Sequence, residues 1–124
     1  MYDKDLVCHI LEQVLQSAKT IKARFEPVQT VDYFTNTPDG MEKFDSICMQ
    51  LIAIGESLKN LDKVTEGELL SKYPEIEWKK VKGLRDIISH QYFDINGEAI
   101  FDVCETKLPN LIRVTTKILD EIEH

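Results

Sequence analysis

The sequence predicts an all-α fold, an antiparallel bundle of four to five helices forming a single domain over residues 1–124. Three observations predict it. Apolar residues recur at steps of three and four, the spacing that lines one face of a helix. Nothing reads convincingly as a strand, and there is no internal repeat. The connections are short, apart from one linker before Met41, and short connections place successive helices side by side and antiparallel.

Asp5 to Phe25 forms the first predicted helix, with Val7, Ile10, Leu11, Val14, Ala18, Ile21 and Phe25 as its stripe. Pro27 follows, and proline lacks the donor that a helix interior needs. Glu26 to Pro38 reads as a linker, with Asn36, Pro38, Asp39 and Gly40 as turn residues. Val28, Val31 and Phe34 are apolar enough to pack part of it on the body. The second long helix runs from about Met41 to Leu61 and buries Phe44, Ile47, Cys48, Leu51, Ile54, Gly55 and Leu58. Gly55 costs up to ~1 kcal/mol relative to alanine inside a helix. It therefore marks a close helix–helix approach, or space needed by Glu56.

Thr65 and Glu68 have the spacing of a capping box, which starts a short helix to about Lys72. Pro74 opens the third long helix, about Glu75 to Gln91, where a missing donor is harmless. Asn96-Gly97 is a turn. The last helix runs from about Glu98 to Glu123 and faces Ile100, Val103, Leu108, Leu111, Ile112, Thr115, Ile118, Leu119 and Ile122 inward. Pro109 inside it predicts a bend or a new segment.

Composition excludes several classes. Of the 124 residues 43% are hydrophobic, with 5 Gly and 4 Pro, which excludes collagen-like and disordered chains. No apolar run reaches the ~18–20 residues of a membrane span. Met1 to Lys4 is polar and leads into a patterned helix, which predicts no secretory signal. The net charge of −7 argues against coating nucleic acid by bulk charge, though not against a local basic patch. Cys8, Cys48 and Cys104 are far apart and set in apolar stretches. They read as buried hydrophobes in a reducing cytoplasm rather than a disulfide framework or a zinc knuckle.

Chemistry concentrates in residues 74–94. At ~100° per residue, Val81, Leu84, Ile88 and Gln91 share one arc, which Ile76 and Ile87 extend. Across from it lie Lys79, Lys82, Arg85, Asp86, Ser89, His90 and Tyr92. Arg85 and Tyr92 differ by ~20°, and Asp86 reaches His90 one turn on. Arg85 and His90 are ~140° apart, so one chain offers a broad, half-finished site. A second copy related by two-fold symmetry completes it, and Gly83 leaves room for a partner helix.

Histidine exchanges protons near neutrality, and arginine forks onto phosphate. Asp86 fixes the tautomer of His90, and Lys79 and Lys82 add positive charge. This set suits transesterification of RNA: one group takes the 2′-OH proton, another protonates the leaving oxygen, and arginine stabilises charge at phosphorus. No metal cluster or cofactor is implied. On spacing alone the same residues also read as a solvated face, with His90 favouring the helix dipole and Tyr92 packing its ring. Trp78 reads as core or interface, and His9 and His124 carry no signal.

A family resemblance bears on that choice. Arg85-x4-His90-x-Tyr92 resembles the signature of HEPN domains of the HepT-like toxin group. Ala53-Ile54-Gly55-Glu56 resembles its Gly-Glu element. Pro74-x-Ile76-x-Trp78, Gly83-x-Arg85 and Leu108-Pro109-x-Leu111 resemble further family elements. The resemblance implies a HEPN-like bundle dimerising through its motif helices, with Arg85 and His90 catalytic and Asp86, Ser89, Lys82 and Glu56 supporting. It implies a metal-independent endoribonuclease toxin and a cognate minimal nucleotidyltransferase antitoxin that transfers AMP to Tyr92. Asp86 stands where the family often has Asn, and with the −7 charge this keeps a second reading open, a non-catalytic binding subunit of a nucleotidyltransferase complex.

Overall fold

The computed structural model describes residues 2–123, and His124 lies outside them. Among the described residues six α-helices account for most of the length, and no strand occurs. They are α1 (Lys4–Phe25), α2 (Val31–Asn36), α3 (Pro38–Thr65), α4 (Trp78–His90), α5 (Gly97–Asp102) and α6 (Leu108–Glu123). α1 packs against α3 and α6 to form the core, α4 lies on α3, and α2 packs against α3 and α5. Among the described residues no helix is long and apolar enough to cross a membrane.

The long stripes fold as their spacing predicts. Asp3 caps α1 by accepting from the backbone N–H groups of Asp5 and Leu6 at 3.0 and 3.2 Å. The α1 stripe from Val7 to Ile21 is buried, as are all seven predicted core residues of α3. Of the predicted stripe of the last helix, Ile100, Leu108, Leu111, Thr115, Ile118 and Leu119 are buried, Val103, Ile112 and Ile122 are partly buried against them, and Cys104 and Val114 join the core.

Four boundaries differ from the expectation. The linker contains α2, because Thr30 caps it and fully buried Phe34 anchors it against Phe25, Phe44 and Phe101. Pro38, Asp39 and Gly40 are the first turn of α3 rather than a loop. Thr37 caps that turn, accepting from Gly40 N–H at 2.9 Å and donating to the Tyr33 carbonyl at 2.8 Å. Pro38 has no donor to leave unpaired at such a start.

The capping box does not form. Thr65 is the last residue of α3 and its buried hydroxyl donates back to the Leu61 carbonyl at 2.9 Å. The chain leaves through Glu66 and Gly67 at φ 55° and 75°, and only a 3-10 turn follows at Leu70–Lys72. The third long helix starts at Trp78, because the Trp78 indole N–H donates to the Tyr73 carbonyl at 2.8 Å. That bond, with Ile76 and Trp78 both buried, holds 74–77 as a turn.

The predicted last helix is α5 and α6 joined by a π-turn over Val103–Lys107. Pro109 is the second residue of α6, so the wider turn in front of it accommodates the ring and missing donor. Cys48 and Cys104 are buried as expected, and burial pushes both thiols up to about 12. Cys8 departs from the expectation, being only partly covered.

Candidate functional site

The chemistry-bearing residues gather where α4 lies across the second half of α3. Gly55 makes this crossing possible. A β-carbon there would stand 2.8 Å from Arg85 Cβ and 3.3 Å from the Lys82 carbonyl oxygen. The predicted close approach is therefore present, and its counterpart on α4 is the stem of Arg85.

Next to Gly55, Glu56 projects onto the same guanidinium, with Oε1 2.6 Å from Arg85 Nε. Asp86 accepts from Arg85 Nη1 at 2.9 Å and pairs with Lys59 at 3.4 Å. Lys82 pairs with Asp62. The hydrogen bond that Arg85 donates to Asp86, then the charge of Glu56, raise the Arg85 pKa above its ordinary value. The Arg85 hydrogen bond, then that from Lys59, lower the Asp86 pKa. Arg85 is thus held in orientation from two sides.

Asp86 therefore does not reach His90 in the single chain. The i, i+4 spacing allows that contact, but Arg85 and Lys59 take the carboxylate instead. His90 is exposed in the last turn of α4. At ~100° per residue it lies within ~20° of Gly83, seven residues earlier. Nothing lies within 4 Å of the position a β-carbon would take at Gly83. Beyond this outward face Ile87 is 49% exposed. It borders a groove of about 430 Å³ floored by Leu84, Leu108 and Leu111 between α4 and α6.

Tyr92 does not share a helix face with Arg85. α4 ends at His90, Gln91 adopts φ −131° and ψ 31°, and Tyr92 begins a 3-10 turn over Tyr92–Asp94. The wheel angle of ~20° applies only to an unbroken helix. Instead the Tyr92 ring lies 6.4 Å from Phe44 and 5.7 Å from Phe93. Ser89 and Tyr92 line a hollow with Asp45, Met49 and Ile52 of α3.

The site thus brings Arg85, Glu56, Asp86 and Lys82 together on one flank, and puts Ser89, His90 and Tyr92 near the end of α4. Two partners escaped the sequence reading, Lys59 and Asp62. Their signal is Glu56-x-x-Lys59-x-x-Asp62, a charge every third residue continuing the face that begins at Gly55. Among the described residues no group of three or more His, Cys, Asp or Glu side chains is placed to hold a metal ion.

The family model described as Ribonuclease HepT-like matches residues 24–118, a span that includes every site residue above. The chain belongs to the Ribonuclease HepT-like family. Among relatives, Putative RNase MJ0127 of Methanocaldococcus jannaschii is 38% identical over 78 residues, 63% of this chain and 61% of the relative. Putative RNase TTE0752 of Caldanaerobacter subterraneus subsp. tengcongensis is 30% identical over 111 residues, 90% of this chain and 92% of the relative. The chain therefore spans about three-fifths of the first relative and most of the second. No solved structure matches the chain significantly. The all-α bundle is the fold expected from the HepT-like resemblance.

Proposed function

We propose that this HepT-like protein is a metal-independent endoribonuclease, with Arg85 and His90 of two copies meeting around one scissile phosphate. The observation that carries the reading is Arg85 itself: Gly55, Glu56 and Asp86 hold it beside α3, five residues before an exposed His90. A guanidinium fixed in this way stabilises developing phosphoryl charge without reorganising. His90 exchanges the proton of the 2′-OH or of the leaving oxygen. Ser89 and Lys82 support the site through a hydroxyl donor and local positive charge. The exposed face at Gly83, His90 and Ile87 supports a homodimer through the motif helices.

In this reading the protein is the toxin of a toxin–antitoxin pair working in the cytoplasm. Its antitoxin is a minimal nucleotidyltransferase that transfers AMP to Tyr92. Tyr92 is 36% exposed, which supports its being open to modification. A phosphodiester there adds a negative charge and an adenosine two residues from His90, which opposes binding of an RNA phosphate.

The test is cleavage of a labelled RNA, with and without a chelator, by the parent protein, Arg85→Ala and His90→Ala. Cleavage that survives chelation and is lost in both variants is the expected result. Loss of Arg85 costs ~2–4 kcal/mol of transition-state stabilisation, or roughly 30- to 10³-fold. Mixing the two variants restores part of the activity if the site is shared between copies. Equal cleavage by all three proteins overturns the assignment. The pairing of Arg85 and Lys82 with three carboxylates favours one rival, a non-catalytic subunit of a nucleotidyltransferase complex. That rival predicts co-purification with the transferase and intact RNA.

A further inference from the structure

The sequence contains an aromatic pair just past His90, and the structure leaves it uncovered. Phe93 is 97% exposed and meets Tyr92 edge to face at 5.7 Å and 71°. Tyr92 lines an open hollow of about 320 Å³ between α3 and the end of α4, and Phe93 stands outside it, against the Tyr92 ring. That volume falls at the lower end of small-ligand sites, ~300–1,000 Å³. Its lining includes apolar Met49 and Ile52 and the polar residues Asp45, Ser89 and Tyr92. Met49 is 63% exposed on its rim.

A flat apolar ligand with a polar edge fits these features. The exposed aromatic rings offer it a π-face, Ser89 donates or accepts, and a carboxylate at Asp45 accepts. A nucleobase splayed from single-stranded RNA has this chemistry, and unstacked bases are commonly read by aromatic platforms and polar edges. A folded protein surface fits less well, since one exposed ring near a hollow gives little contiguous area.

We propose that this hollow binds a nucleobase next to the scissile phosphate of single-stranded RNA, with Tyr92 and Phe93 as its stacking platform. The proposal rests on the ribonuclease reading and names its substrate as unpaired. Ser89 lines the hollow and is followed by His90, so a base seated there brings its own backbone to the end of α4. Asp45 favours bases that present an amino donor, so runs of uracil bind weakest.

The experiment measures binding of fluorescent 12-residue oligoribonucleotides to the full chain carrying His90→Ala, which prevents turnover. Further arms add Phe93→Ala, Phe93→Trp or Asp45→Asn. Phe93→Ala weakens single-strand binding about 5- to 100-fold, the range that stacking commands, and Phe93→Trp retains it. Duplex RNA binds weaker than either strand, and Asp45→Asn narrows the gap between oligo(A) and oligo(U). Equal affinity with and without Phe93 overturns the proposal while leaving the ribonuclease reading standing. A Phe93→Ala protein whose mass in solution falls to half, with single-strand affinity per subunit unchanged, assigns the ring to a protein contact and overturns it too. A parent protein that neither binds nor cleaves RNA overturns both readings together.

Discussion

Substituting Gly55 by alanine tests how Arg85 is positioned. The new methyl would stand 2.8 Å from Arg85 Cβ and 3.3 Å from the Lys82 carbonyl oxygen. Neither atom is the free end of a side chain, so α4 must move off α3 by several tenths of an ångström. Overpacking of this kind costs ~1–3 kcal/mol. Gly→Ala inside a helix recovers up to ~1 kcal/mol, leaving a net loss of ~0–2 kcal/mol. Gly83→Ala supplies the control. It is also interior to a helix but meets nothing within 4 Å, so it receives the propensity gain alone. The helix terms cancel between the two variants, and their unfolding free energies differ by the steric term, ~1–3 kcal/mol. The assay is urea unfolding, at a subunit concentration where both variants are monomeric, read together with RNA cleavage. A shift of Arg85 approaching 1 Å costs up to ~10²-fold in rate, so Gly55→Ala loses more activity than stability. Equal stabilisation of both variants, with cleavage intact, would refute the claim that Gly55 sets the α3–α4 crossing.

Thr37→Ala removes the cap of α3 and its bond to the Tyr33 carbonyl, and should lower the urea unfolding free energy by ~1–2 kcal/mol. Thr115→Val should raise it by ~1 kcal/mol. The Thr115 hydroxyl is buried without a hydrogen-bond partner among the described residues, and valine has nearly its shape. Cys48 and Cys104 should resist iodoacetamide at pH 8, since thiols at about 12 are roughly 10⁻⁴ ionised there; mass spectrometry should find the native-state adduct on Cys8 alone. Both folded-state pKa values lie above the unfolded ~8.5. The stability the buried thiols contribute is therefore complete below pH ~8.5 and is lost as pH rises toward about 12, which urea midpoints across that range should show.

Particular residues show how far the chain could be read without its fold. The stripes of α1 and α3 were legible because helical burial repeats every three or four residues, a signal carried within a few turns. Gly55 was legible as a close approach, since a mid-helix glycine is costly without a reason. Thr65 was misread because its hydroxyl could serve a following helix or the preceding carbonyl, and the second option won. The start of α4 was misplaced because the Trp78 indole reaches back to Tyr73, which no propensity rule anticipates. Tyr92 was set on the wrong face because helical angles hold only while the helix lasts.

The linear order of residues determined the all-α class, the core stripes and the clustering of Arg85, His90 and Tyr92 within eight positions. These depend on neighbours in the chain. Tertiary packing alone decided that Asp86 turns to Arg85 and Lys59 rather than to His90, and that Asp62 takes Lys82. It also put Tyr92 against Phe44, 48 positions earlier in the chain. A carboxylate within reach of several cations goes to those that the packing of α4 on α3 brings nearest. That crossing depends on the absence of a methyl group at Gly55, thirty residues from the arginine it admits.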